Sequence, residues 1–388
     1  MQGQTDQNIM IKIMTREQGS YGPCFSLILV LMWGCHSGTG TVKYSEQIEK
    51  TEKIFDQWNK DDSPGCALGI VKDGILVYAN GFGIANLEYV EPITSRSVFR
   101  IGSVSKQFTA ACVLLLEEDG RLALDDDVRK YIPELPEYGQ TVTLRHMLLH
   151  TSGLPEYLTL LYESGDFVDD LDYFSETEAV TALAKGPGSS FRAGEKYEYC
   201  NSNYFLLSVV VKRVAGMTLA KYAMKNIFQP LGMEHTHFHD DVTDIVKDRA
   251  TGYGMGENGD WKIDETTLEI VGDGSVFTTI EDMYLWDQNF YRNRLGKGGQ
   301  GLIDKMRTSG RLNNGELTDY GFGLSVDTYR GLPRIGHGGS WAGFRANYMR
   351  FPDQMFTVMV LCNLGSMTPG VLAEEVAAVW IGGSMDEE

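Results

Sequence analysis

Apolar and polar positions change their period twice along this chain, and the changes divide it into three stretches. From Tyr44 to Lys60 the apolar residues Ile48, Phe55 and Trp58, with Ile54 beside them, line one side of a helix that Pro64-Gly65 ends. CALGIVKDG and ILVYANGFG follow, two strand-like runs joined at Asp73-Gly74, which is a hairpin signal. A connecting loop then delivers the chain to FRIGSVSKQF. The run VSKQFTAACVLLLEEDG predicts a helix of about four turns ending at Gly120, with Phe108, Cys112 and Leu115 as its core anchors.

Helical periods and loops fill the middle. Thr143 starts a helix that ends at His150 or Thr151, and Ser175-x-x-Glu178 has the spacing of a capping box. Another helix is predicted from about Asn203 to Ala215, Thr218 caps the next, and Thr278-x-x-Glu281 opens one over MYLWDQNFY. From Tyr320 the period returns to two in GFGLSVDTY, PRIGHGG, GFRANYMRF and FTVMVLCN, before a last helix from Leu372 to Trp380. Sheet signals at both ends with helices between predict an α/β fold of the α+β type. One antiparallel sheet flanked by helices is assembled from both ends of the chain, with a helical insertion over about 121–275 and a cleft at the seam.

Composition narrows the function classes. With 388 residues, 43% of them hydrophobic, and 17 Phe and 19 Tyr, the chain can bury a large core and is not disordered. A formal charge of −19 argues against a nucleic-acid partner and against adhesion to anionic membrane. Cys66, Cys112, Cys200 and Cys362 are far apart without metal spacing and read as small buried apolar residues, with no connectivity legible. His235, His237 and His239 alternate in EHTHFHD, which on a strand would set three imidazoles on one face. No second ligand cluster lies near them, so no metal is expected.

The first residues read differently. Lys12 and Arg16 precede the apolar run Phe25 to Trp33, too short to span a bilayer but suited to the core of a secretory leader. LMWGC resembles a bacterial lipoprotein cleavage site, departing from it at Met32. Residues 1–34 are therefore expected to be a signal peptide, with lipidated Cys35 beginning a domain over 35–388 that is exported to the periplasm or lipid-anchored to the cell envelope.

Three short segments carry chemistry. Ser103 and Lys106 lie three apart on one helical face, with Ser103 in the first turn, where unpaired N–H groups favour negative charge. A serine needs an adjacent base, and a partly desolvated lysine of lowered pKa can serve. Tyr199-Cys200-Asn201 precedes a helix. Its phenol, pushed toward phenolate by a neighbouring ammonium, could move the serine proton, while Asn201 could hold Lys106 and a substrate carbonyl. In His337-Gly338-Gly339-Ser340 the glycines allow close approach, and the N–H of Ser340 could join that of Ser103 as an oxyanion hole. His337 would offer a hydrogen bond, or a positive charge when protonated, toward Tyr199 or a substrate carboxylate. Trp341 is a candidate wall of the cleft and Arg345 a candidate carboxylate ligand. His150 reads as a cap or core contact, and Ser152 as a turn hydroxyl.

Each segment alone is a weak signal; their order and intervals of roughly 95 and 140 residues are stronger. FRIGSVSKQFTA, LRHMLLHTSGLPEY, YEYCNSNYFLL and GHGGSWAGFRA resemble blocks of the serine beta-lactamase-like superfamily, in the branch of class C beta-lactamases, D,D-carboxypeptidases, D-aminopeptidases and related esterases. That resemblance implies acylation of Ser103, with Lys106 as its proton partner, Tyr199 as general base or acid, Asn201 as companion and His337 in the third motif. Substrate contacts fall to Asn201, Gly338, Gly339, Trp341 and Arg345. Where class C enzymes have lysine, threonine and glycine, this chain has histidine and two glycines, which resembles carboxypeptidase and peptidase members more than a resistance enzyme; the expectation is a peptidase of D,D-carboxypeptidase type, with a carboxylesterase or a beta-lactamase as the alternative. It would also make the reaction sensitive to pH near neutrality if His337 must be charged. The implied substrate is a small peptide, ester or beta-lactam, with no cofactor and a monomeric chain. A scaffold that binds penicillin without turnover is the non-enzymatic alternative.

Overall fold

Two strands near the middle of the principal sheet come from opposite ends of the chain. A computed structural model describes residues 43–165 and 171–387; the leader and Cys35 lie outside them. The six strands run in the order Ser325–Tyr329, Leu332–Trp341, Phe344–Phe351, Phe356–Cys362, Cys66–Lys72 and Ile75–Phe82, every neighbouring pair antiparallel. The turn at Asp73-Gly74 joins the hairpin read from the sequence.

Helices cover both faces of this sheet, which is why the neighbouring strands Phe356–Cys362 and Cys66–Lys72 read as near-continuous apolar runs. Cys66, Leu68 and Ile70 point to one face, where Phe55 of the helix Ser45–Phe55 and Leu372, Val376 and Ile381 of the helix Pro369–Ile381 meet them. Ala67 and Val71 point to the other, toward the larger core that contains the helices Lys106–Glu118, Asn201–Ala215 and Ile280–Tyr291. No helix among the described residues is long and apolar enough to cross a membrane.

Several local expectations need correction. Cys66 and Cys362 are not separate apolar fillers: they face each other across neighbouring strands and form a disulfide, while Cys112 and Cys200 are buried and free. Thr278 ends the strand Val276–Thr278, and it is Thr279 whose side chain caps the next helix by accepting from the Asp282 N–H. The middle of the chain is not wholly helical. His237–Phe238 and Phe99–Arg100 pair with Val276–Thr278, and Tyr253–Met255 pairs with Trp261–Ile263. The imidazoles of His237 and His239 contact each other at 3.3 Å and pack on Phe277; His235 donates its backbone N–H to Asp282 instead.

One buried charge ties the larger core to the sheet. Asp287 Oδ1 accepts from Arg350 Nε at 2.6 Å, Thr357 Oγ1 at 2.9 Å and Tyr348 Oη at 3.0 Å, all from the strand pair Phe344–Phe351 and Phe356–Cys362. Asp287 and Arg350 are both buried. Substituting Asp287→Ala strands the guanidinium in an apolar core, and the expected loss of folding stability is about 3–5 kcal/mol. Urea denaturation of the variant against the parent measures it; an unchanged midpoint would refute the assignment.

Candidate active site

Ser103 sits in a single 3-10 turn, Gly102–Ser105, that leads into the helix Lys106–Glu118, rather than in the first α-helical turn. Two glycines let this turn press against the sheet. Gly102 has φ +50°, and a Cβ there would lie 2.5 Å from the Ser340 nitrogen; one on Gly339 would lie 1.9 Å from the Ile101 carbonyl oxygen and 3.2 Å from the Ser103 nitrogen. The backbone nitrogens of Ser103 and Ser340 are thus brought to one place. Beyond Gly336 no strand among the described residues pairs with Leu332–Trp341 on that side, so its edge can receive the turn.

Lys106 is fully buried. Its Nζ donates to Ser103 Oγ at 2.9 Å, to Asn201 Oδ1 at 2.9 Å and to the Asp273 carbonyl oxygen at 2.6 Å. Three N–H bonds meet three acceptors. Two of these, the amide oxygen and the peptide carbonyl, can only accept, whereas a hydroxyl can also donate. When Lys106 loses a proton its lone pair must therefore turn to Ser103, the one partner of the three able to reverse the bond. Burial pushes the Lys106 ammonium down to about 8, against the opposing charges of Asp273 and Glu156.

Tyr199 approaches from the other side. The residue is 38% exposed, but its hydroxyl end is enclosed. Burial holds the phenol well above its ordinary range, against a lowering hydrogen bond with Ser103. The shift toward phenolate expected from the sequence does not occur. Lys106 Nζ lies over the ring face, 4.9 Å from its centroid, and its N–H bonds are directed at the three acceptors already named. The Tyr199 phenol is accordingly neutral in the resting site.

His337 also differs from expectation. Nδ1 lies against the carbonyl oxygen of Gly338, which can only accept, so Nδ1 carries the proton and Nε2 accepts from the Tyr320 hydroxyl at 3.0 Å. Both ring nitrogens are engaged away from Tyr199, whose ring centroid is 6.0 Å off. Burial first, and the Lys106 charge second, push the imidazole down to about 4. His337 is neutral through the neutral range and supplies no cation.

A cavity of about 120 Å³ opens beside Ser103, lined among others by Asn201, Leu268, Asp273, Ser340 and Trp341. Ser103, Lys106, Tyr199, Asn201 and Ser340 are thus brought together, and Trp341 walls the space. Gly338 is exposed and outside the lining, and Arg345 does not reach it: its Nη1 donates to the Ala342 and Phe344 carbonyls, both at 2.7 Å. Sequence reading missed two neighbours. Glu156 Oε2 accepts the Asn201 backbone N–H at 2.7 Å, and the buried Asp273 presents its carbonyl to Lys106 and accepts from Tyr157 Oη through its carboxylate. Neither has a pattern that spacing could reveal. Among the described residues no group of three or more His, Cys, Asp or Glu could hold a metal.

A buried lysine where many serine nucleophiles have a histidine base, carried on an antiparallel sheet with helices on both faces, sets this chain among the serine beta-lactamase-like proteins. A family model described as Beta-lactamase matches residues 51–379, and the chain belongs to that family. It is 31% identical over 306 residues to penicillin-binding protein 4* of Bacillus subtilis (strain 168), covering 75% of this chain and 66% of that one. To a D-aminopeptidase of Brucella anthropi it is 28% identical over 342 residues, covering 84% of this chain and 64% of the relative. The chain thus spans less than two thirds of the length of these curated relatives. Its fold is similar to that of an octameric penicillin-binding protein homologue from Pyrococcus abyssi, with a TM-score of 0.75, 27% identity, and 89% of this chain and 78% of that one covered.

Below pH 8 Lys106 holds its proton and cannot accept another; as pH rises through 8 the lone pair appears and faces Ser103. Labelling of Ser103 by a fluorophosphonate is expected to accelerate about tenfold per pH unit and then level off. Because His337 titrates at about 4, no inflection is expected near pH 6.5. Rates measured across that range check both points, and a flat profile would refute the role of Lys106.

Proposed function

We propose that this chain is a serine hydrolase that cleaves amide bonds through an acyl-enzyme on Ser103, with D-amino-acid amides or peptides as its substrate class. The observation that carries this reading is the contact between Lys106 and Ser103, in which the other two N–H bonds of the lysine end on groups that can only accept. In the first step neutral Lys106 takes the Ser103 proton as Oγ bonds to the substrate carbonyl carbon. The oxyanion lies between the N–H groups of Ser103 and Ser340. Tyr199 gives its proton to the departing nitrogen while the serine proton stays on Lys106, so the acyl-enzyme holds a phenolate and an ammonium. Water then attacks the ester and gives a proton to the Tyr199 phenolate, Lys106 returns its proton to Ser103 Oγ, and the acid is released.

Charge at the cavity favours an amine-bearing or neutral substrate end over a carboxylate. Asp273 is the one acid in its lining and no Lys, Arg or His belongs to it; His337 is neutral, and the Arg345 guanidinium is held by backbone carbonyls. This supports an aminopeptidase or amidase reading over the carboxypeptidase one, and the D-aminopeptidase relative agrees with it. Export remains part of the proposal, and the Cys66–Cys362 disulfide supports it because such bonds persist in oxidising compartments.

Incubation with a fluorescent penicillin or fluorophosphonate, followed by mass spectrometry of the adduct, should place the label on Ser103, and Ser103→Ala should abolish turnover. An adduct elsewhere, or turnover surviving in the variant, refutes the mechanism. In a panel of D-amino amide, D-Ala-D-Ala peptide, nitrocefin and butyrate ester, the D-amino amide should be cleaved fastest; preference for the D-Ala-D-Ala peptide would refute the substrate class alone.

A further inference from the structure

Tyr199 lies in an extended segment ahead of the helix Asn201–Ala215, with no regular ladder to hold it. Its neighbours on both sides are instead hydrogen-bonded to a single residue. The Glu198 N–H donates to the His150 carbonyl oxygen at 2.9 Å, and the Cys200 N–H donates to His150 Nδ1 at 3.1 Å. The imidazole stacks on the Tyr199 ring, 4.2 Å between centroids and 29° between planes. Asn203 Nδ2 also faces His150 Nδ1 at 3.2 Å, so Nδ1 is an acceptor and the ring proton is on Nε2. His150 itself has φ +53°, a left-handed backbone that an ordinary residue adopts only under constraint. The residue is fully buried. That conformation is what lets its carbonyl and its ring reach the two sides of Tyr199 at once.

We propose that His150 is the positioning residue of Tyr199, fixing the peptide units on either side of it and the plane of its ring so that the phenol stays aimed at Ser103. This rests on the reading of Tyr199 as proton donor to the leaving group. His150 touches no substrate and moves no proton. Neutrality suits the role, since a second ring proton would convert Nδ1 from acceptor to donor and expel the Cys200 N–H. Burial, with Lys106 and His337 nearby, holds the imidazole well below its ordinary pKa.

A proton donor matters for an amine leaving group and little for p-nitrophenolate, so the ratio of amide to p-nitrophenyl ester turnover reports the aim of Tyr199. His150→Phe keeps an aromatic ring and removes the acceptor. It is expected to lower kcat for a D-amino amide about a hundredfold, with KM little changed and ester turnover reduced less than about tenfold. His150→Asn restores a side-chain acceptor and tolerates a positive φ, and should keep the amide-to-ester ratio within about threefold of the parent. Equal losses on both substrates in His150→Phe, or a ratio in His150→Asn that falls more than about tenfold, would overturn the proposal. The Asn variant decides the matter if the Phe variant fails to fold. Tyr199→Phe is the reference: should it leave the ratio unchanged, the assignment of Tyr199 fails, whatever the His150 variants do.

Discussion

A lysine ammonium shut away from water has to be surrounded by acceptors, and the three around Lys106 come from three remote parts of the chain. Ser103 is on the preceding turn, Asn201 begins a helix, and Asp273 belongs to a loop ahead of the strand Val276–Thr278. Desolvation of the charge opposes burial, and three charge-assisted hydrogen bonds offset it. The balance leaves Lys106 near 8, so the group is partly neutral where enzymes work. Structural and chemical roles are then the same contact. Moving any acceptor alters both the fit of the segments and the proton affinity of the base.

Around that contact the fold supplies rigidity in layers. The Asp273 loop is held by Thr109 Oγ1, which donates to the Gly272 carbonyl at 2.7 Å, and by Arg100, which donates to Ser275 Oγ at 2.7 Å. The helix Asn201–Ala215 has Glu156 at its first N–H, a carboxylate at the positive end of the helix. On the sheet side, Gly102 and Gly339 remove the two side chains that would keep the Ser103 turn away from the edge strand.

The side chains that the structure gathers around Ser103 were legible in the sequence. Ser103, Lys106, Tyr199 and Asn201 are set by short local spacings, and the glycines before Ser340 announce close approach. What escaped was everything decided by tertiary surroundings. The third acceptor of Lys106 is a peptide carbonyl, which any residue could provide. The neutrality of His337 comes from its burial and from the Lys106 charge, and its Nε2 is taken by Tyr320, which lies ahead of the strand Ser325–Tyr329 with no motif around it. Tyr199 resists ionisation because its hydroxyl end is buried, and the ammonium nearby meets the face of its ring and not its oxygen. His150 could be placed at a helix end, yet the two hydrogen bonds it accepts beside Tyr199 depend on a backbone angle that composition does not report. The strands and principal helices were visible in their periods, whereas the short strands from 237 to 263 are too brief to show one.

The pairing of Cys66–Lys72 with Phe356–Cys362 has an effect on how the molecule comes into being. Partners in this ladder are up to 296 residues apart, so a nascent chain emerging from a ribosome carries its first hairpin with one edge open until the distant strand is made. That edge is apolar and fully buried in the finished molecule, the kind of surface that chaperones cover and that aggregates if left alone. Completion comes as a cooperative event once Phe356–Cys362 can dock. A chain stopped before Phe356 would yield no smaller working version, only an unsealed sheet.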